Sequence, residues 1–295
     1  MLKYFLFLLF LTVPFSVHGK GSCTMVRDTI LLYKPAKEIY LIKNTNFNQY
    51  AQLETMASSL VYRGIGAGAM LGLQKRKNNT ITSFITHWSR AKLRNNIQPK
   101  QYYAELNHIN INVSACYILN RFQQKKTIPY TGWQLAQQSD FRRNNQLQNS
   151  SVSYNFATSL SPFFRIEKWL SFPENKKRKL FKKQRSILLT YQLAIPLLAG
   201  VARPPFNSIR KIHDGLGNVY QNSITQEVIT QYKLYTLNHF LAVYSNVELQ
   251  YFIKNGNRLA LQYFWNFENF NKKNSAYKVS QTGIQLSFYT RLNAI

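Results

Sequence analysis

Acidic residues are scarce in this 295-residue chain. Eleven Asp and Glu stand against 38 Lys and Arg, giving a formal net charge of +27. Partners with negative surfaces are therefore favoured and strongly cationic ones disfavoured. Cysteine is rarer still. Cys23 and Cys116 are the only two, which excludes a disulfide framework and a cysteine-based zinc cluster, although the two could pair with each other in an oxidising compartment. Beyond the first residues no apolar run reaches the roughly 18 residues of a transmembrane helix. There is no glycine-rich phosphate loop before a helix, no Cys/His cluster and no cage of carboxylates. Neither a metal nor a nucleotide cofactor is expected.

What the chain does have begins at its N-terminus. Lys3 is followed by the almost wholly apolar Tyr4 to Val17, and then by Val17-His18-Gly19. This pattern predicts a secretory signal cleaved near Gly19, too short for a bilayer-spanning helix. Lys20 stands three residues before Cys23, where a lipidation motif needs an aliphatic residue, so lipid attachment is disfavoured. Residues 20–54 form a mixed lead-in, and β-prone runs at Thr29–Tyr33 and Glu38–Ile42 leave room in it for a first strand.

From Leu60 onward the apolar residues recur at every second position, the period of a strand with one greasy and one wet face. Val61, Ile65, Ala67, Ala69, Leu71 and Leu73 oppose Gly64, Gly66, Gly68 and Gly72. Glycine is poor in strands, and a face crowded by side chains inside a narrow barrel would explain it. Ile109, Ile111, Val113 and Tyr117 oppose His108, Asn110, Asn112 and Ser114. Upstream, Tyr102, Ala104 and Leu106 have the opposite phase, which predicts a bulge near Asn107. Val152, Tyr154, Phe156 and Leu160 oppose Ser151, Ser153, Asn155 and Ser159. The same alternation runs through 187–199, 234–254, 259–267 and 282–292. Residues 80–92 and 131–141 are weaker versions. Lys254-Asn255-Gly256-Asn257 is a hairpin turn signal.

These segments predict an all-β protein: a closed antiparallel transmembrane β-barrel of eight to ten strands, ten favoured, over residues 55–295. Nine candidates lie beyond Leu60, and single-chain bacterial barrels have even counts. A tenth strand would come from within 28–45. Alternatively, one of the two weak segments does not span and eight remain. The competing architecture is a soluble secreted β-sandwich with its apolar face inward. Two features favour the membrane. The polar faces are rich in Ser, Asn, Gln, Gly and Thr rather than charge. Aromatics lie near strand ends (Tyr62, Tyr102, Tyr103, Phe163, Phe164, Trp169, Tyr235, Phe267, Phe270 and Tyr277), as interfacial girdles do.

On this export signal, these dyad strands and the final strand Gly283-Ile284-Gln285-Leu286-Ser287-Phe288-Tyr289, the chain resembles the small outer-membrane β-barrel proteins of Gram-negative bacteria. The resemblance covers residues 55–293. It departs from the family at the end, where the chain runs on through Thr290–Ile295 instead of stopping at an aromatic residue. It implies residence in the cell outer membrane. The sequons at Asn78, Asn112 and Asn149 carry no weight in such a chain.

The candidate functional residues fall into two groups. Lys176, Lys177, Arg178, Lys179, Lys182, Lys183 and Arg185 make a basic segment between two strong strands, suited to lipopolysaccharide phosphates or another anionic surface, although a solvated loop would look the same. Nucleic acid is disfavoured by the export signal. His108, Asp140, Glu248 and Arg291 fall on predicted lumen faces, where they could pair, line a channel or plug it. His108 and Ser114 share a face but lie roughly 20 Å apart along the strand, too far to touch. Residues 204–231, starting at Pro204-Pro205, exceed what a hairpin needs and are the preferred functional loop. The expected role is non-enzymatic: structural, surface-interacting or small-pore, with outer-membrane lipids and lipopolysaccharide as partners and an envelope protein as a further candidate. A lipid or lipopolysaccharide hydrolase is the first alternative. A secreted soluble protein binding acidic glycan is the second.

Overall fold

The computed structural model describes residues 38–54, 58–77, 79–95, 103–124, 126–143, 152–172, 185–203, 232–253, 256–271 and 276–292. Twelve strands follow one another: β1 (Glu38–Glu54), β2 (Ser58–Lys77), β3 (Thr80–Asn95), β4 (Tyr103–Ile118), β5 (Thr127–Arg143), β6 (Val152–Phe172), β7 (Arg185–Ala194), β8 (Leu198–Ala202), β9 (Lys233–Thr236), β10 (Phe240–Phe252), β11 (Arg258–Phe270) and β12 (Tyr277–Leu292). A 3-10 turn, Asn120–Phe122, joins β4 to β5. Among the described residues no helix is long and apolar enough to cross a membrane.

Each strand pairs antiparallel with its neighbours, and β1 closes on β12. The lead-in segment supplies this first strand. Both weak segments are full strands, β3 and β5. β8 continues the line of β7 along β6, and β9 continues that of β10. The wall is therefore a ten-strand closed barrel in which two staves are broken.

The break has a sequence cause. On β6, Ser161-Pro162 lies between the pairs Leu160↔Leu198 and Phe163↔Ala194, facing three residues, Ile195-Pro196-Leu197. Neither proline has an N–H to give the ladder, and one stave carries an extra residue, as in a β-bulge. The face that points inward then switches from even positions (Thr190, Ala194) to odd ones (Ala199, Val201). The bulge expected near Asn107 is absent. β4 keeps unbroken register with β3 and β5. Ala104 and Leu106 point inward because this end of the lumen is itself apolar, with Tyr50, Tyr62, Ala91 and Leu93 around them.

The stagger of the sheet can be followed along its ladders. From Arg165 on β6 the partners run Gln192, Asn246, Phe264, Gly283, Asn48, Gly66, Ala91, Leu106, Arg142 and back to β6 at Ser153. One circuit thus slips twelve residues along β6. Over ten strands that slip tilts each stave by roughly 40° to the barrel axis.

The two faces divide as the alternation expects. Phe47, Ile65, Leu71, Phe84, Trp88, Leu261, Tyr263, Ile284 and Leu286 are among the large apolar residues exposed on the outside. Asn, Gln, Ser and paired charged groups fill the inside. The inner face of β2 is glycine for a packing reason. A Cβ on Gly68 would come within 2.6 Å of the Ser89 Cβ and 2.8 Å of the Asn46 Oδ1. β10 and β11 pair as the hairpin signal expects. Gly256 has φ 82, a left-handed value that glycine adopts freely, and the Ile253 N–H donates to the Asn257 carbonyl at 2.9 Å. The aromatic girdle is only part of the story. Tyr62, Phe163, Phe270 and Tyr277 are buried in the lumen, while Tyr103, Phe164 and Phe267 face outward. Rings near strand ends pack the narrow interior as readily as they line an interface.

Candidate functional site

The lumen holds two polar clusters separated by a cavity. The first lies toward the rim where β1 begins and β12 ends. Glu167 on β6 is fully buried and meets both Arg76 on β2 (2.6 and 3.0 Å, bidentate) and Arg165 on its own strand (2.7 and 2.9 Å). Tyr130 on β5 donates to the same carboxylate at 3.2 Å. The phenol of Tyr289 donates to Glu248 at 2.6 Å, and Gln250 donates to the other Glu248 oxygen at 2.9 Å. Arg258 reaches Gln250, Tyr40 and Glu38, and its guanidinium lies 4.1 Å over the Tyr40 ring. Buried guanidinium–carboxylate pairs of this kind hold their place only with extra hydrogen bonds to each partner. Glu167 has one from Tyr130, while Glu248 is held by neutral donors alone among the described residues.

The second cluster lies toward the opposite rim. His108 on β4 meets Asp140 on β5 at 2.6 Å through Nδ1, and the Tyr277 hydroxyl donates to the other Asp140 oxygen at 2.7 Å. Tyr244 donates to Glu268 at 3.0 Å. Tyr50 accepts from Gln281 at 2.9 Å and shares a 2.6 Å hydrogen bond with Ser89. His87 packs beside His108, with ring centroids 5.7 Å apart, and its Nε2 meets the Asn46 amide at 2.7 Å. Arg142 lies 4.1 Å over Tyr62 and Arg203 lies 4.6 Å over Tyr277.

Between them is a cavity of about 170 Å³, reached by Gln74, His87, His108, Asn110, Asn112, Arg165, Asn246, Glu248 and Gln285. It has room for several waters, and its wall is polar enough to hold them. The carbonyl oxygens of Gln74, Asn110, Asn112 and Asn246 have no protein partner. Free acceptors on the wall of a polar chamber suit small hydrogen-bond donors.

The residues singled out from the sequence are placed as follows. His108, Asp140 and Glu248 are buried in the lumen. Arg291 stands at its mouth, 3.4 Å from Glu38. His108 and Asp140 are brought together. Glu248 and Arg291 belong to the other cluster and do not touch each other. Of the basic segment, Lys176, Lys177, Arg178, Lys179, Lys182 and Lys183 lie outside the described residues, and Arg185 is the first residue of β7. The preferred loop, 204–231, is also outside them. Cys116 is a free, buried thiol on the lumen side of β4, and Cys23 lies outside the described residues.

Sequence reasoning missed Glu167, Arg76, Arg165, Arg258, Glu38, Glu268 and His87. Most were within reach of a signal it used. Arg165 and Glu167 continue the odd-numbered polar phase of Ser153 and Asn155. Pro162 hid that continuation, because proline in the middle of a strand argues against one. The chemistry of the site is restrained. Ser89 stands directly opposite His108 on the neighbouring strand, and Asp140 stands on the other side. These are the residue types of a nucleophilic triad, but the Ser89 hydroxyl is fully buried and engaged by Tyr50. Ser114 bonds Ser83 instead, at 2.6 Å. Among the described residues no group of three or more His, Cys, Asp and Glu could hold a metal.

No protein-family model matches the chain, and no curated protein matches it. It is similar to several solved barrels. The transport unit of the autotransporter AIDA-I from Escherichia coli aligns at TM-score 0.41 and 8% identity, over 90% of this chain and 92% of that one. The outer membrane protease OmpT from Escherichia coli aligns at 0.40 and 6%, over 87% and 96%. The translocator domain of the autotransporter NalP from Neisseria meningitidis aligns at 0.31 and 7%, over 84% and 88%. Likeness at this level carries no functional information.

Proposed function

We propose that this chain is a non-enzymatic outer-membrane barrel with a sealed lumen, acting as a structural and surface-interaction protein. The observation that supports the reading is the pairing of an apolar outer wall with an interior crossed by two hydrogen-bonded clusters. Lipid accepts a sheet only when no edge is left unpaired, and β1–β12 closure meets that demand. The outer wall offers aromatic and aliphatic side chains to hydrocarbon. On the inner wall many polar groups bond one another in the two clusters.

The direction of insertion follows from the connections. Glu38 and Leu292 share one rim. The longest connection, between β8 and β9, leaves from the other. Outer-membrane barrels keep short turns on the periplasmic side and long loops outside. The terminus rim therefore faces the periplasm in this reading. The segment carrying Lys176 to Arg185 joins β6 to β7 at that same rim, so its anionic partner would be a periplasmic surface or envelope protein. Lipopolysaccharide contact then falls to the opposite rim.

The test is heat-modifiability on a gel, using outer-membrane fractions washed with high salt and carbonate, followed by conductance in planar bilayers. A band that stays in the membrane, shifts on boiling and gives no steady conductance supports the reading. Release by salt, with no shift, would return the chain to the soluble acidic-glycan binder. Steady open conductance would replace the sealed barrel with a pore.

A lipid hydrolase is the second reading, and the His108–Asp140 pair opposite Ser89 favours it. It would show as hydrolysis of outer-membrane lipid by the purified barrel, lost in His108→Ala and in Ser89→Ala. It ranks second because the serine hydroxyl is bonded to a tyrosine rather than to the imidazole.

A further inference from the structure

Toward the end of β3 the outer wall carries a group of cations among its apolar residues. β3 turns outward, in order, Trp88, Arg90, Lys92 and Arg94, and β2 turns outward Ala69, Ala67, Ile65 and Arg63 beside them. All four cations are exposed. Arg90 pairs with Glu105 on β4 at 2.8 Å, and Lys92 lies 4.2 Å over the Tyr103 ring. Arg63 and Arg94 face each other directly across the ladder, and neither has an acidic partner among the described residues. Like charges placed opposite on a sheet are destabilising unless an anion sits between them. The small residues beside them create a second feature. Ala67 lies between Phe47 and Arg90 in the ladder, and Ala69 lies beside Trp88. They floor a shallow depression on the outer wall, bordered by Phe47, Ile65 and Trp88 and running up to Arg90 and Lys92.

We propose that this is a binding site for a phosphorylated lipid of the surrounding leaflet. One acyl chain lies along the Ala67–Ala69 floor between Phe47 and Trp88. The phosphate is held by Arg63, Lys92 and Arg94 at the rim. The chemistry fits each half. A methyl floor between aromatic walls matches a methylene chain, and a guanidinium fork matches phosphate oxygens in paired hydrogen bonds. Cations at the edge of a hydrocarbon band meet headgroups at the depth where phosphates lie. This site is at the rim opposite the start of β1 and the end of β12. The inference rests on the reading that the barrel spans a bilayer, and it adds the chemical class of lipid and the place where it binds.

The test is native mass spectrometry of the detergent-purified full chain, titrated with phosphatidic acid and, separately, with a phosphatidylcholine of the same acyl chains. Arg63→Gln with Arg94→Gln removes the phosphate contacts. Ala67→Trp fills the floor and leaves the charge intact. Lys75→Gln with Lys77→Gln removes the same charge from the other end of β2. Phosphatidic acid is expected to bind the wild type at least tenfold more tightly than phosphatidylcholine. The first two variants should each lose about tenfold or more, and the third should stay within about twofold. Equal binding of the two lipids by the wild type would overturn the proposal. So would an undiminished affinity in either site variant, or an equal loss in the Lys75/Lys77 variant. Heat-modifiability of every variant is read alongside. A wild type that fails that assay fails the membrane reading itself. A barrel that passes it and shows no lipid preference fails only this site.

Discussion

Glu167, in the lumen cluster nearer the termini, sits between two guanidinium groups, whereas Asp140, in the far cluster, sits between an imidazole and a phenol. Both carboxylates are buried, and both have their oxygens occupied. They differ in what is left when the acid is removed. Arginine has no neutral form in a protein, so Arg76 and Arg165 would remain as buried cations. Imidazole and phenol both have neutral forms, so His108 and Tyr277 would lose hydrogen bonds without retaining an obligatory charge. Losing its carboxylate should therefore cost the terminus-side cluster more than the far one. The central cavity lies between them, with the free amide oxygens of Gln74, Asn110, Asn112 and Asn246 on its wall.

This contrast can be broken by substitution. Glu167→Gln should have the largest effect. Breaking a buried ion pair by removing one partner costs about 3–5 kcal/mol. It should appear as a lower urea midpoint for loss of the unboiled gel band. Replacing the whole trio, Arg76→Met, Arg165→Leu and Glu167→Met, should recover most of that loss, because no charge is stranded. If the triple variant is no better than Glu167→Gln, charge stranding is not the cause.

Asp140→Asn should be milder, about 1–3 kcal/mol, the cost of buried hydrogen-bonding groups left unsatisfied. The same urea measurement ranks it against Glu167→Gln. A loss as large as that of Glu167→Gln would erase the distinction between the two clusters. Tyr277→Phe and Tyr289→Phe remove one phenol–carboxylate bond from each cluster and should each cost roughly 1.5–3 kcal/mol, the range for bonds to charged groups. A clear inequality between them would show that one carboxylate leans on its phenol more than the other.

Much of the wall was legible in the sequence, because alternation is a property of each strand by itself. The outward set Ile284, Leu286 and Phe288 and the inward set Asn246, Glu248 and Gln250 needed no knowledge of neighbours. The hairpin at Gly256 was legible too, since a left-handed φ there depends on local chemistry. The aromatic residues were less readable. Tyr62 and Tyr277 have the strand-end positions of a girdle, but their parity turns them inward. The phase change at Ala104–Leu106 was visible and misleading. It looked like a bulge, when the lumen is simply apolar at that depth. The real irregularity, Ser161-Pro162 against Ile195–Leu197, needs two strands at once to be seen.

The candidate site was only partly legible, for a related reason. His108, Asp140 and Glu248 could be assigned to the lumen from period two. Their partners could not, because pairing across a barrel depends on the twelve-residue stagger of the whole sheet. Arg76 and Glu167 are 91 positions apart in the chain, and no local pattern joins them.

That this chain forms strands, which face of each is apolar, and that a closed sheet would satisfy both could be read one segment at a time. Those outcomes follow from side-chain period and turn chemistry, which act over a few residues. Which charges neutralise one another, that two polar clusters sit at different levels of the lumen with a cavity between, and that Arg63 and Arg94 confront each other on the outer wall came only from the three-dimensional arrangement. Those outcomes depend on register, and register is set jointly by every strand of a closed sheet.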